Sequence, residues 1–142
     1  MAQITGNKID ILNSFVEFYN QSPYMNFVKD VDCKFLAVSK SFADYFGVSD
    51  PASLIGKTSS VLLKNKIVCS LYEQLDKEVL SSDDSVLRIL PSFVDPSGNQ
   101  HYVQVSKTVI KDKNNEPIGI IVDLIVFSFY FVLKLIFVTK SP

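Results

Sequence analysis

The chain has 142 residues, with 14 Lys and Arg against 15 Asp and Glu for a net charge of −1. That length suits one domain with a real core, and balanced charge without a basic block argues against nucleic-acid binding. Two cysteines, Cys33 and Cys69, with no CxxC spacing, argue against a disulfide framework or zinc site and for a reducing, cytoplasmic setting.

The N-terminus lacks the charged start and apolar run of a signal peptide. Its segment "NKIDILNSFVEFYNQSP" is helix-like, with Ile9, Leu12, Phe15, Val16 and Tyr19 on one stripe. Lys8, Asn13, Glu17 and Asn20 lie largely opposite, and Pro23 ends the run. The stripe must cover either the chain's own sheet or a second subunit. Next, "YMNFVKDVDCKFLAVS" reads as a β-hairpin turning at its aspartates. Ser39 or Ser41 then opens a short helix, and Ser41 with Asp44 fits an acidic capping pair. Phe42 and Phe46 lie one turn apart, and Gly47 is a natural left-handed stop.

In "SDPASLIGKTSSVL", Ser49 or Asp50 can cap, Pro51 suits the first helical position and Gly56 ends the turn. Lys66–Leu80 is the clearest helix. Ile67, Val68, Leu71, Tyr72, Leu75 and Val79 form its apolar stripe, and Glu73, Gln74, Asp76 and Lys77 its wet side. Three strands follow, joined by "DPSGNQ" and "KDKNNEP", whose Gly98 and Asn114-Asn115 supply turn chemistry. Pro91 predicts a bulge in the first of them. The expectation is an α+β domain around one five-stranded antiparallel sheet.

Catalytic signals are weak. His101 is the single histidine, in a strand beside a turn, where a partly exposed polar role is expected. No GxSxG elbow, phosphate-binding glycine loop or metal-ligand cluster accompanies it. "SSDDS" reads as a solvated turn, and Cys69 as a small, half-buried apolar residue. The chain is therefore not expected to be an enzyme or to hold a metal.

"FVKDVDCKFLAVSKSFADYFGVSDPASLIGKT", then "DPSGNQHYVQVSKTVI" and "NEPIGIIVD", resemble in order the PAS sensor domain of bacterial signalling proteins. The resemblance spans Ser22 to Asp123, with Cys33 where a turn glycine is frequent and Ser39 where an asparagine is frequent. With it the chain divides into an N-terminal amphipathic helix over 1–21, a PAS-like sensor domain over 22–126 and a hydrophobic tail over 127–142. It also implies a sensory role, with a small molecule in an apolar pocket, a homodimer formed through Ile9, Leu12, Phe15, Val16 and Tyr19, and a downstream signalling partner outside this chain. Haem is disfavoured because the longest helix has no histidine, and covalently reacting flavin because neither cysteine sits in an Asn-Cys-Arg-Phe context.

The elements that surround the family's cavity offer Phe35, Phe42, Tyr45, Phe46, Leu54, Val68, Leu71, Tyr72 and Leu75. Tyr45, Tyr72, Tyr102 and Ser106 could anchor a ligand's polar groups. The same aromatics could equally fill a solid core, leaving a ligand-free dimerisation module. The run "LIVFSFYFVLKLIFV" ends the chain; Phe127 to Val138 is too short to span a bilayer of about 30 Å on its own. A hydrophobic extension buried shallowly or by a partner is expected first, a membrane anchor second, and a truncation product third.

Overall fold

The computed structural model describes residues 2–127 apart from 83, with side chains described over 8–126. The order is α1 (Ala2–Asn20), β1 (Asn26–Lys29), β2 (Phe35–Val38), α2 (Lys40–Tyr45), α3 (Lys66–Ser81), β3 (Val86–Val94), β4 (Gln100–Lys111) and β5 (Pro117–Phe127). Two short 3-10 turns, Pro51–Leu54 and Ser59–Val61, link α2 to α3. The five strands form one antiparallel sheet in the order β2-β1-β5-β4-β3. The last strand is therefore its centre: β5 pairs with β1 on one side and β4 on the other. The bulge expected at Pro91 is present as a register shift between Pro91 and Val94.

The three hairpin turns share one construction. In each, an aspartate side chain accepts from two backbone N–H groups: Asp30 from Asp32 and Lys34, Asp95 from Ser97 and Asn99, Asp112 from Asn114 and Glu116. Its carbonyl accepts from the residue three positions on, and that residue takes a positive φ: Cys33 at 62°, Gly98 at 87°, Asn115 at 64°. Only glycine takes this conformation without cost. Cys33 thus occupies a glycine's position at some strain, held by the aspartate's bonds.

The helix starts show one correction. The cap of α2 is Ser39, whose Oγ accepts from Phe42 N, rather than a Ser41–Asp44 pair. Ser41 instead donates to Pro23 O, and Asp44 pairs with Lys40 at 2.8 Å. Asp50 and Asn65 cap the first 3-10 turn and α3.

The sheet is covered on both faces. On the outer face, Leu12, Phe15, Val16 and Tyr19 of α1 pack on Val28, Ala37, Ile110, Ile118 and Ile121. Of the two covers open to the α1 stripe, its own sheet takes these four, while Ile9 stays exposed. Gly119 lets the helix approach closely: a Cβ there would lie 2.8 Å from Lys29 O and 3.1 Å from Leu12 Cδ2. On the inner face, α2 and α3 close over Phe27, Phe35, Val38, Val103, Val105, Ile120 and Val122. The apolar tail expected over 127–142 lies, beyond Phe127, outside the described residues; among the described ones no helix is long and apolar enough to cross a membrane.

Candidate functional site

Helix α3 buries Tyr72, Leu75 and Val79 of its expected stripe, but the buried face is rotated toward Cys69 and Asp76. Its buried residues are Cys69, Tyr72, Leu75, Asp76 and Val79, while Ile67 and Leu71 are exposed. Asp76, expected on the wet side, is 0% exposed. It is held by two lysines from the sheet beneath. Lys29 Nζ donates to Asp76 Oδ2 at 2.7 Å and to Ser59 Oγ at 2.7 Å. Lys107 Nζ donates to Asp76 Oδ1 and, at 3.2 Å, to Tyr72 O. Lys29 is 1% exposed and Lys107 0%. Aromatic faces complete the surroundings, with Lys29 Nζ 5.1 Å from the Phe35 ring centre and Lys107 Nζ 5.6 Å from that of Tyr72.

These groups cost free energy to bury. Burial pushes the Lys107 ammonium below its ordinary pKa, Asp76 opposes that push, and neighbouring Lys29 adds to it. The Tyr72 phenol is driven well above its ordinary value, mainly by burial, so it stays protonated and donates to Pro91 O at 3.2 Å.

A separate cleft of about 560 Å³ is lined by Tyr45, Phe46, Gly47, Leu62, Lys64, Asn65, Val68, Ser92, Phe93, Val94 and Gln100. It lies where the end of α2, the start of α3 and the end of β3 meet. Tyr45 hydroxyl and Ser92 Oγ share a hydrogen bond of 2.9 Å within it. Behind the cleft, Phe27, Phe42, Phe46, Ser59, Leu62, Leu63 and Tyr72 enclose a void of only about 10 Å³, room for about one water. Phe46 and Leu62 line both spaces, so they form the wall between them.

The expected pocket residues divide accordingly. Tyr45, Phe46 and Val68 line the cleft; Phe42, Phe46 and Tyr72 line the inner void. Phe35, Leu54 and Leu75 are buried in the core cluster itself. Three expectations need correction. Leu71 is 39% exposed and faces a separate groove with Gln74, Glu78 and Arg88. Strand alternation turns Val103, Val105 and Lys107 inward, which places Tyr102 and Ser106 on the opposite face, away from the core.

Asp76 reads from the sequence as solvated, and Lys29 and Lys107 as ordinary strand charges, yet the pattern carries a signal. Val103, Val105, Lys107 and Val109 alternate on one face of β4, and Cys69, Tyr72, Asp76 and Val79 repeat at helical spacing. His101 is partly exposed, stacked on Phe93 at 4.6 Å and bonded to Asp95 at 2.9 Å. The thiols of Cys33 and Cys69 are pushed up chiefly by burial, which disfavours the reactive thiolate. Among the described residues no three metal-ligating side chains converge.

A family model described as the PAS fold matches residues 19–125. The chain belongs to the PAS-fold family. The PAS domain of BvgS from Bordetella pertussis superposes with a TM-score of 0.69 at 21% identity, covering 94% of this chain and 99% of that one. VqmA from Vibrio cholerae, described as a dimer that shifts conformation in the absence of target DNA, superposes at 0.63 with 22% identity over 82% of this chain. The chain spans 51% of that protein's length. A phage VqmA in complex with DPO superposes at 0.72 with 13% identity, over 98% of this chain and 64% of that one. At such identities these likenesses concern the fold. The comparison with curated protein sequences found no match. The PAS fold is one of sensory modules, and the inner face of its sheet here carries the buried cluster and the cleft.

Proposed function

We propose that this PAS domain is a sensory module that takes up a small molecule in the cleft between α2, α3 and β3. The observation that carries this reading is the cleft itself: about 560 Å³, walled by Tyr45, Phe46, Leu62, Val68 and Phe93, with Ser92, Asn65 and Gln100 as polar points. Ligand sites have this size and this mixture of apolar walls and few polar groups. The DPO complex of the phage VqmA supports uptake of a small molecule by this fold. Native mass spectrometry of the full chain, purified from cells, should show an adduct of small-molecule mass. A metabolite panel should contain compounds that raise Tm, and Leu62→Trp, which fills the cleft, should abolish that rise. If no adduct and no Tm change are found, ligand sensing is rejected.

A second reading is favoured by α1. Its inward stripe is satisfied by the sheet, but Ile9 and Phe18 remain 52% and 69% exposed. We infer that this outward edge joins two copies of the chain, as VqmA is described as a dimer. Sedimentation of the full chain should report a dimer, and Phe18→Glu a monomer.

A further inference from the structure

We propose that the apolar tail, residues 128–138, folds back on its own domain and covers the outer face of the sheet at its β3–β4–β5 end. The occupant of that face is this chain's own tail, and the tail is thereby kept from a second copy and from a bilayer.

The face itself is the first observation. Strand alternation carries the side of Ile121, which α1 covers, on to Ile125, and the side of Ile110 on to Ser106, Gln104 and Tyr102. Across the ladder, Gln104 stands between Ile89 and Ile125, and Ser106 is opposite Leu87. Leu87, Ile89 and Ile125 are 58%, 52% and 55% exposed. Among the described residues, α1 covers the other end of this face and nothing covers this one. Large aliphatic side chains in adjoining rows form a patch that is costly to leave in water.

The path of the chain is the second. Strand β5 ends at Phe127, opposite Tyr102, so the tail leaves the sheet at the border of the patch. Its run "SFYFVLKLIFV" is apolar or aromatic except for Ser128 and Lys134. From Phe127 back to Asp123 the strand measures about 13 Å, whereas residues 128–138 reach about 36 Å when extended. The tail can therefore turn and run the length of the patch. Tethering at the rim gives it an effective concentration in roughly the millimolar range, which favours it over a second copy.

Charge is the third. The single charge in the run is Lys134. On this face β5 carries one carboxylate, the exposed Asp123. After a turn of about three residues, an antiparallel return brings Lys134 level with Asp123. Left apart, the run and the patch are both aggregation hazards; laid together, each removes the other from water.

The test uses the full chain with Ile89 replaced by p-benzoylphenylalanine. Illumination should join position 89 to a peptide within 128–138, in a product with the mass of one chain. A product of two chains, or no link to the tail, overturns the proposal. Trypsin supplies a second reading, because Lys134 is a cleavage point inside the run. Ile89→Asp should speed cleavage after Lys134 at least about ten-fold by shifting the tail to its open form. Ile67→Asp, at a position 75% exposed on α3, should leave that rate unchanged. Equal acceleration in both variants, or none in Ile89→Asp, overturns the proposal. So does flotation of the full chain with phosphatidylcholine vesicles, which would place the tail in lipid.

Discussion

On its outer face the sheet meets Leu12, Phe15, Val16 and Tyr19 of α1 through the aliphatic side chains Val28, Ala37, Ile110, Ile118 and Ile121. On its inner face it meets α3 through Lys29 and Lys107 as well as Val103, Val105 and Val122, and α3 answers with Asp76. The outer contact is mainly burial of apolar area, with Lys8 of α1 paired at its edge to Glu116 at 3.1 Å and Asp112 at 3.5 Å. The inner one includes groups that burial penalises, at a place where valine would pack more cheaply. The two faces thus differ in the kind of group they bury.

The largest effect should come from breaking the inner face. Asp76→Ala leaves two ammonium groups unpaired and should cost roughly 3–5 kcal/mol in urea unfolding. Replacing the whole cluster, by Lys29→Met, Asp76→Leu and Lys107→Met together, should be neutral or stabilising by about 1–4 kcal/mol. A large loss in that triple variant would mean that the cluster holds the fold together, and the contrast between the faces would fail. The outer face should respond to volume instead. Gly119→Ala places a methyl 2.8 Å from Lys29 O and should cost about 1–3 kcal/mol, visible as a lower Tm. Smallest is the effect expected from Cys33→Gly, which relieves the positive φ of 62° and should stabilise by roughly 0.5–1 kcal/mol. A destabilised Cys33→Gly would mean that the thiol contributes packing that outweighs backbone strain.

Much of the fold was legible in the residues. The three turns announced themselves through Asp30, Asp95 and Asp112 with Cys33, Gly98 and Asn115 placed after them, because backbone conformation at a turn depends on near neighbours. Pro91 marked its bulge for the same reason. The candidate site was legible only in part. Tyr45, Phe46 and Val68, expected from the resemblance to the PAS family, line the cleft, and Tyr72 lines the inner void. Tyr102 and Ser106 were misplaced by one step of strand alternation, which reverses the face of a side chain. Asp76 was misread because a charge within a helix is usually solvated. The α3 stripe was drawn through Ile67 and Leu71, and the observed face is rotated toward Cys69 and Asp76.

The sequence by itself determined the elements and their turns, since periodicity and turn chemistry are local, and its quoted stretches carried the resemblance to the PAS family. Only the tertiary structure decided what those elements enclose. Lys29, Asp76 and Lys107 are far apart in the chain and lie on β1, α3 and β4, so each alone reads as a surface charge. Pairing β5 between β1 and β4 sets the two lysines across the central strand, and α3 lays its aspartate over both. Their burial is tolerable only because all three arrive together, and that convergence is a property of the fold.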